Sequence, residues 1–271
     1  MGEGVTDRRL ECFSLDSAWV SGSEGARFDA SYYNPRAAHA IETLKRSGLT
    51  IKPLGEVTQR IFIPPRFKRI YVGPDQGIPF LQGSHVVHFQ PADLKYVSKT
   101  AHKDLGPWLI HSGWLLVTRS GTIGRVTIAA DRWDGWAASE HIMRVVPDPA
   151  SPCLPGYIYA FLNSPIGQAQ LTARIYGAVV DEITEDHGRG VLIPVPTTAA
   201  EVAQVKTIND QALKAIMRLS EAAKLADESV QAIDRFIPAL PLVEAAKDDL
   251  TPFERFQNLT QQVLSVPHAK R

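Results

Sequence analysis

The stretch TAAEVAQVKTINDQALKAIMRLSEAAKLADESVQAIDRF, residues 198–236, contains neither proline nor glycine. Apolar residues recur along it at alternating intervals of three and four: Val205, Ile208, Ala212, Ala215, Leu219, Ala222 and Ala226. That spacing places them on one face of an α-helix. Val230 and Ile233 continue the stripe one position displaced, and Leu213, Ile216 and Ala223 widen it. Thr197 or Thr198 can cap the start, and Glu201, three residues after Thr198, completes a capping-box pattern. At ~1.5 Å per residue the helix is roughly 55–60 Å long, far beyond the usual length. The rest of the chain is not expected to cover such a rod. Its small residues suit close packing against a second long helix.

The regions on either side read differently. Pro238 and Pro241 end the rod, residues 242–250 form a charged linker, and residues 252–265 suggest a short amphipathic helix. Upstream, residues 1–33 read as irregular. Asn34-Pro35 then opens a helix to about Arg46, with Gly48 as terminator and Ile41 and Leu44 on its buried face. From about residue 50 to 147 the pattern is short and strand-like: RIFI (60–63), KRIYV (68–72), IPFL (78–81), HVVHF (85–89), GWLLVTR (113–119), GRVTIA (124–129) and HIMRVV (141–146). Residues 155–173 switch to helical spacing broken at Pro165, and VLIPVP (191–196) reads as a last strand.

The expected fold class is therefore α+β. An N-terminal extension with a helix (1–49) precedes a β-rich domain (50–197), a long coiled-coil-like helix (198–237) and a linker with a short helical tail (238–271).

Composition sets bounds on function. The chain has 271 residues, 44% of them hydrophobic and 21% charged, enough for a real core. Its two cysteines, Cys12 and Cys153, are far apart, which disfavours a disulfide framework and fits a reducing cytoplasm. No apolar run suits a signal peptide or a membrane helix, so the expectation is a soluble protein with no membrane partner. Net charge is zero, yet residues 60–144 hold eleven Lys or Arg against six Asp or Glu, and five of the eight histidines. A local basic region on a neutral chain can face phosphate.

No chemistry-bearing motif stands out. There is no phosphate-binding G-x-x-x-x-G-K-[ST] loop, no G-x-G-x-x-G before a helix and no G-x-S-x-G elbow. His85 and His88 invite a metal reading, but in a strand residues three apart point to opposite faces. His187 lies in the acidic run EITEDHGRG, and no ligand spacing supports a metal there. The sequence thus implies no catalytic residue, no metal and no cofactor.

Several segments together resemble one family, the specificity (S) subunits of type I restriction–modification systems. Gly77-Ile78-Pro79-Phe80-Leu81 resembles its G-[IV]-P-[FY]-[LI] strand. The segment from Gly113 to Arg125 resembles its G-D-[IL]-L-[IV]-[TS]-[RK]-x-G-[ST]-[IV]-G hairpin, with Trp114 in place of the usual acid. Arg27 to Pro35, Pro155 to Ala173, and Ile193-Pro194-Val195-Pro196 ahead of the long helix are similar to further parts of the pattern. The resemblance spans residues 27–236.

It implies a non-catalytic subunit whose β-rich target-recognition domain reads double-stranded DNA. Such a subunit directs a partner adenine methyltransferase, with or without a restriction subunit, to a split target in phage defence. Family members carry two recognition domains and two helices. This chain has one of each, which implies a homodimer or pairing with a second half-subunit. The usual Pro-x-x-Glu-Gln near the helix start is altered to Pro196-Thr197-Thr198-Ala199-Ala200-Glu201-Val202. The alternatives are a protein-interaction adaptor and the targeting subunit of a non-restriction defence complex.

On the recognition reading, Arg119, Ser120, Thr122 and Arg125 around the hairpin turn, with Gln82 and Ser84, are candidates to meet base edges. Arg66, Lys68, Arg69, Lys95, Lys99 and Lys103 are candidates for phosphate. Tyr176 and Arg174 are further DNA candidates. Val205, Ile208, Ala212, Ala215, Leu219, Ala222 and Ala226 form the expected partner-helix face.

Overall fold

The computed structural model describes Ser17 and residues 35–87, 94–102, 104–172 and 182–236. The fold is α+β. Helix α1 (Pro35–Arg46) starts at proline and stops before Gly48, which adopts φ 75°, as its sequence signals. It buries Ala37, Ala40 and Leu44, and Ile41 is half-buried.

Among the described residues three sheets follow. Strands β2 (Thr58–Phe62), β9 (Ile142–Pro147), β6 (Leu115–Thr118) and β7 (Val126–Ile128) form an antiparallel sheet in that order. A second sheet has the order β3 (Tyr71–Val72), β5 (Lys95–Ser98), β4 (Gly77–Leu81) and β8 (Ala137–Ala138), with β4 and β8 parallel. Strand β1 (Ile51–Pro53) pairs with β10 (Leu192–Pro194), which brings the two ends of the β-rich region together.

The first sheet is buried on both faces, and strand alternation divides its side chains. Leu115, Val117, Met143 and Val145 join one core with Ile158 and Leu162 of α3 (Pro155–Asn163) and Leu171 of α4 (Pro165–Leu171). Leu116 and Ile142 point the other way, into a second core with Leu81, Ile110 and Trp133. Arg144, on this second face opposite Leu116, is fully buried. Its Nη1 donates to Ser139 O at 2.7 Å and to Ile142 O, and its Nη2 to Ala138 O at 2.5 Å and Trp108 O at 3.2 Å. Burial lowers the guanidinium to about 9 while the charge of nearby Glu140 opposes that, so the group is charged at neutral pH.

The segment HVVHF, expected as a strand, departs from that expectation. Gly83–Val87 is a short helix, α2. Gln82 N–H donates to His85 Nδ1 at 3.2 Å and His85 N–H to Gln82 O at 3.0 Å, closing a turn. Both sides of β4 are occupied, by β5 and β8, so β-branched Val86 has no ladder to join and packs into the second core. His88 lies outside the described residues. The strand expected over 68–72 forms only at Tyr71–Val72. Helix α5 (Glu185–Arg189) has no counterpart in the sequence reading, and neither do the strands β1, β5 and β8.

The long helix is present as α6 (Ala199–Phe236). Its capping box is made: Glu201 N–H donates to Thr198 Oγ1 at 3.3 Å, and Thr198 N–H donates back to Glu201 Oε2 at 3.1 Å. Thr197 N–H and Thr198 N–H, both donating to Glu201 Oε2, hold the Glu201 carboxyl below its ordinary value. The chain divides into two compact units, Met1–Lys224 and Leu225–Arg271. The tail over 252–265 lies outside the described residues. No helix among the described residues is long and apolar enough to cross a membrane.

Replacing Arg144 by Met takes the guanidinium donors from the carbonyls of Trp108, Ala138 and Ile142, while Ser139 O keeps Ile142 N–H at 3.1 Å. Arg144→Met is expected to destabilise the domain by about 3–5 kcal/mol, read from urea denaturation.

Candidate nucleic-acid interface

The hairpin joining β6 and β7 is built from its backbone outward. Gly121 and Gly124 adopt φ of 71° and 79°, which explains glycine at both positions. Thr118 pins the turn, since its Oγ1 donates to Thr122 O and accepts from Arg125 N–H at 3.0 Å. Gln168 of α4 donates to Gly124 O at 2.8 Å. Gly124 is buried, and a Cβ there would lie 3.3 Å from Gln168 and Thr172, so its close approach is to α4. Gly121 and Thr122 are at the exposed tip.

Beside the tip runs a network of polar and charged side chains. Ser120 Oγ lies 2.7 Å from His141 Nδ1. His141 Nε2 lies 3.7 Å from Glu140 Oε1, and His141 Nδ1 lies 3.9 Å from Glu182 Oε1. Glu182 Oε2 pairs with Arg119 Nη2 at 2.5 Å, and Arg119 Nε donates to Ile183 O at 3.0 Å. Glu140 pairs with Arg69, whose guanidinium also sits over the Phe80 ring at 5.2 Å. Two sheets thus share one polar seam, with Arg69 and Arg119 at its ends. Burial acts to raise the Glu140 carboxyl, but its own backbone N–H, Arg69 and His141 outweigh that and hold it below 4.5.

The candidate DNA residues fall into groups. Arg119, Ser120 and Arg69 are brought together by the seam, with both guanidiniums tied to carboxylates. Thr122 and Arg125 are exposed on the hairpin, and Ser84 is exposed on α2. Gln82 is half-buried, its backbone engaged with His85. Arg66, Lys68, Lys95 and Lys99 are exposed. Lys103, Arg174 and Tyr176 lie outside the described residues.

Sequence reasoning missed His141, Glu140 and Glu182, which carry the seam. The string Ser139-Glu140-His141 ahead of a strand was the available signal. His187 has a local role, its Nε2 lying 2.9 Å from Gln170 O, and no group of three potential metal ligands occurs among the described residues.

On α6 the buried residues are Val205, Asn209, Ala212, Ile216 and Ala223. Gly156 N–H of α3 donates to Asn209 Oδ1 at 2.8 Å, and a Cβ at Gly156 would lie 2.5 Å from Asn209 O. Of the expected partner-helix face, Val205 and Ala212 are turned to the chain's own domain, Ile208 and Ala226 are half-buried, and Ala215, Leu219 and Ala222 are exposed. At ~100° per residue the exposed trio lies roughly 80° around the helix from the buried row.

No family model matches the chain, and no curated protein matches it. Solved structures do. One is a chain of a type I restriction–modification system, solved for complex assembly and conformational transition; it is 16% identical, with a TM-score of 0.45 over 73% of this chain and 52% of that one. The HsdS subunit from Thermoanaerobacter tengcongensis is 17% identical, with a TM-score of 0.44 over 70% of this chain and 47% of that one. The type I S subunit from M. genitalium is 11% identical, with a TM-score of 0.38 over 72% and 50%. The chain therefore spans about half the length of the structures it matches.

Because its folded-state value is lowered, Glu140 adds stability above pH 4.5 that is lost as pH falls through that lower value. Glu140→Gln is expected to destabilise the domain at neutral pH by about 1–2 kcal/mol. In denaturant titrations across pH, the gap from wild type should close on the acid side.

Proposed function

We propose that this chain is a DNA-recognition subunit of the type I restriction–modification kind, with no active site of its own. It reads one half of a split target and directs a partner adenine methyltransferase there, with or without a nuclease. The observation that carries this reading is the division of labour on α6. One row of its residues docks on a domain with exposed Arg66, Lys68, Lys95, Lys99 and Arg125, while Ala215, Leu219 and Ala222 remain exposed beside that row.

The physics is that of a divided reader. Exposed cations meet phosphate and supply affinity, and side chains at the hairpin tip approach base edges. A bidentate contact discriminates a base by about 1–3 kcal/mol. One such domain reads one half-site. Two copies, or one copy with a second half-subunit, packed through α6 read two half-sites at a spacing the helices set. The residues on this partner face are Leu219, Ala215, Ala222 and Ala226, with Ile208 at its edge.

The test is selection from a pool of random duplexes by the purified chain, with random DNA as competitor. Enrichment of a bipartite motif is the expected outcome. Log affinity should fall linearly with log salt at a slope of about −0.9 per phosphate contacted. No enrichment, with no salt dependence, would leave the adaptor reading in its place. If two copies pair, light scattering should give a two-subunit mass, and Leu219→Asp with Ala222→Glu should reduce it to a monomer; a monomeric wild type at micromolar concentration contradicts self-pairing through α6.

A further inference from the structure

We propose that Tyr71 is a direct, non-ionic contact to duplex DNA, its ring lying against base or sugar edges while Lys95 beside it meets phosphate. The inference rests on the DNA-reading function proposed above and names a residue of that interface.

Among the described residues outside α6, the exposed large hydrophobic side chains are Leu49, Ile70 and Tyr71. Two of the three are neighbours at the start of β3, and Tyr71 is 42% exposed. The ring is held in place: it lies edge-to-face on buried Phe80, with centroids 6.2 Å apart, and the Lys95 ammonium stands 5.2 Å from its centroid. A rigid aromatic held on a sheet loses little freedom when it binds.

The backbone faces outward as well. Strand β3 is an edge strand. Ser98 N–H donates to Ile70 O, and Tyr71 lies opposite Val97. In an antiparallel ladder, hydrogen-bonded and non-hydrogen-bonded pairs alternate. The peptide groups of Tyr71 therefore point away from β5, to the open edge of the sheet.

The surroundings select the partner. Arg66, Lys68, Lys95 and Lys99 are exposed, and no Asp or Glu occurs between Val57 and Pro74. Protein interfaces are depleted of lysine around their aromatic anchors. An exposed ring with a lysine ammonium beside it is complementary to a polyanion with apolar edges, as DNA presents in its grooves.

Salt dependence separates the two kinds of contact. A phosphate contact releases counterions and contributes to the slope of log affinity against log salt, whereas an apolar contact does not. The probe is the duplex enriched from the random pool by wild-type chain, titrated at several salt concentrations. Tyr71→Ala is expected to weaken binding about ten-fold at every salt concentration with the slope unchanged, and Tyr71→Phe to stay within about two-fold of wild type. Lys95→Gln is expected to lower the slope by about 1. Thermal unfolding of each variant reports folding, and a Tyr71→Ala that unfolds early leaves Tyr71→Leu as the second probe of the ring.

If Tyr71→Ala binds within about two-fold of wild type, or its slope falls with its affinity, the contact is overturned while DNA reading stands. Loss of methyltransferase capture with DNA binding intact would make this a protein surface and also overturn the proposal. A wild-type chain that enriches no duplex overturns the DNA reading, and this contact with it.

Discussion

The architecture depends on one buried cation. Arg144 sits on the central strand of the first sheet, and its guanidinium reaches carbonyls of Trp108, Ala138 and Ser139 on the side of the second. Peptide carbonyls at the end of a short strand such as β8 would otherwise be buried without donors, which costs about 1–3 kcal/mol for each group. A hydrophobic residue at position 144 would fill the space but give no donor to the Trp108 and Ala138 carbonyls, while Ser139 O would keep Ile142 N–H. The arginine therefore ties together two sheets that no continuous ladder joins. The polar seam of Glu140, His141 and Ser120 starts at the same corner, so the hairpin tip inherits its position from this clamp.

The second constraint is a close approach. Gly156 admits α6 to within hydrogen-bonding distance of α3, and Asn209 uses that gap to accept a backbone N–H. This fixes the rotation of the helix about its own axis as far as Lys224. Val205, Ala212 and Ile216 must then face the domain, and Ala215, Leu219 and Ala222 cannot. A polar residue in the middle of an apolar row thus determines which small residues remain available to a second helix.

What could be read in the sequence was whatever local chemistry controls. The capping pair Thr198 and Glu201, proline at the starts of α1, α3 and α4, and the glycines of the hairpin act within a few residues, and the structure uses them as their positions indicate. The helix α6 was legible, but its rotation was not. The stripe centred on Ala215 and Leu219 has the same period as the buried row centred on Asn209, and an asparagine is not counted in an apolar pattern. The HVVHF segment has strand propensity, and the places beside β4 are filled from elsewhere in the chain. Nothing in the sequence marks Arg144 as buried, because its partners, apart from Ile142, come from another segment or from the turn before the strand. Most candidate DNA residues were picked by charge, which says nothing of pairing: Arg69 and Arg119 are tied to Glu140 and Glu182, while Arg66, Lys68, Lys95 and Lys99 are exposed.

That sorting bears on the proposed DNA-reading function, in a chain with no net charge. Drawing Arg119 onto a guanine would leave Glu182 uncompensated beside the phosphates, and its approach to DNA would be repelled. The paired arginines are therefore better suited to holding the hairpin and sheet edges in place than to reading bases. Carboxylates on the same face disfavour phosphate wherever the exposed cations are not aligned with it. A surface of this kind has modest attraction for DNA in general and depends more on fit, as at the pinned hairpin tip and the edge strand. On the proposed DNA-reading function, weak general binding would leave a larger part of the affinity to sequence-dependent contacts, which favours discrimination of one site among many.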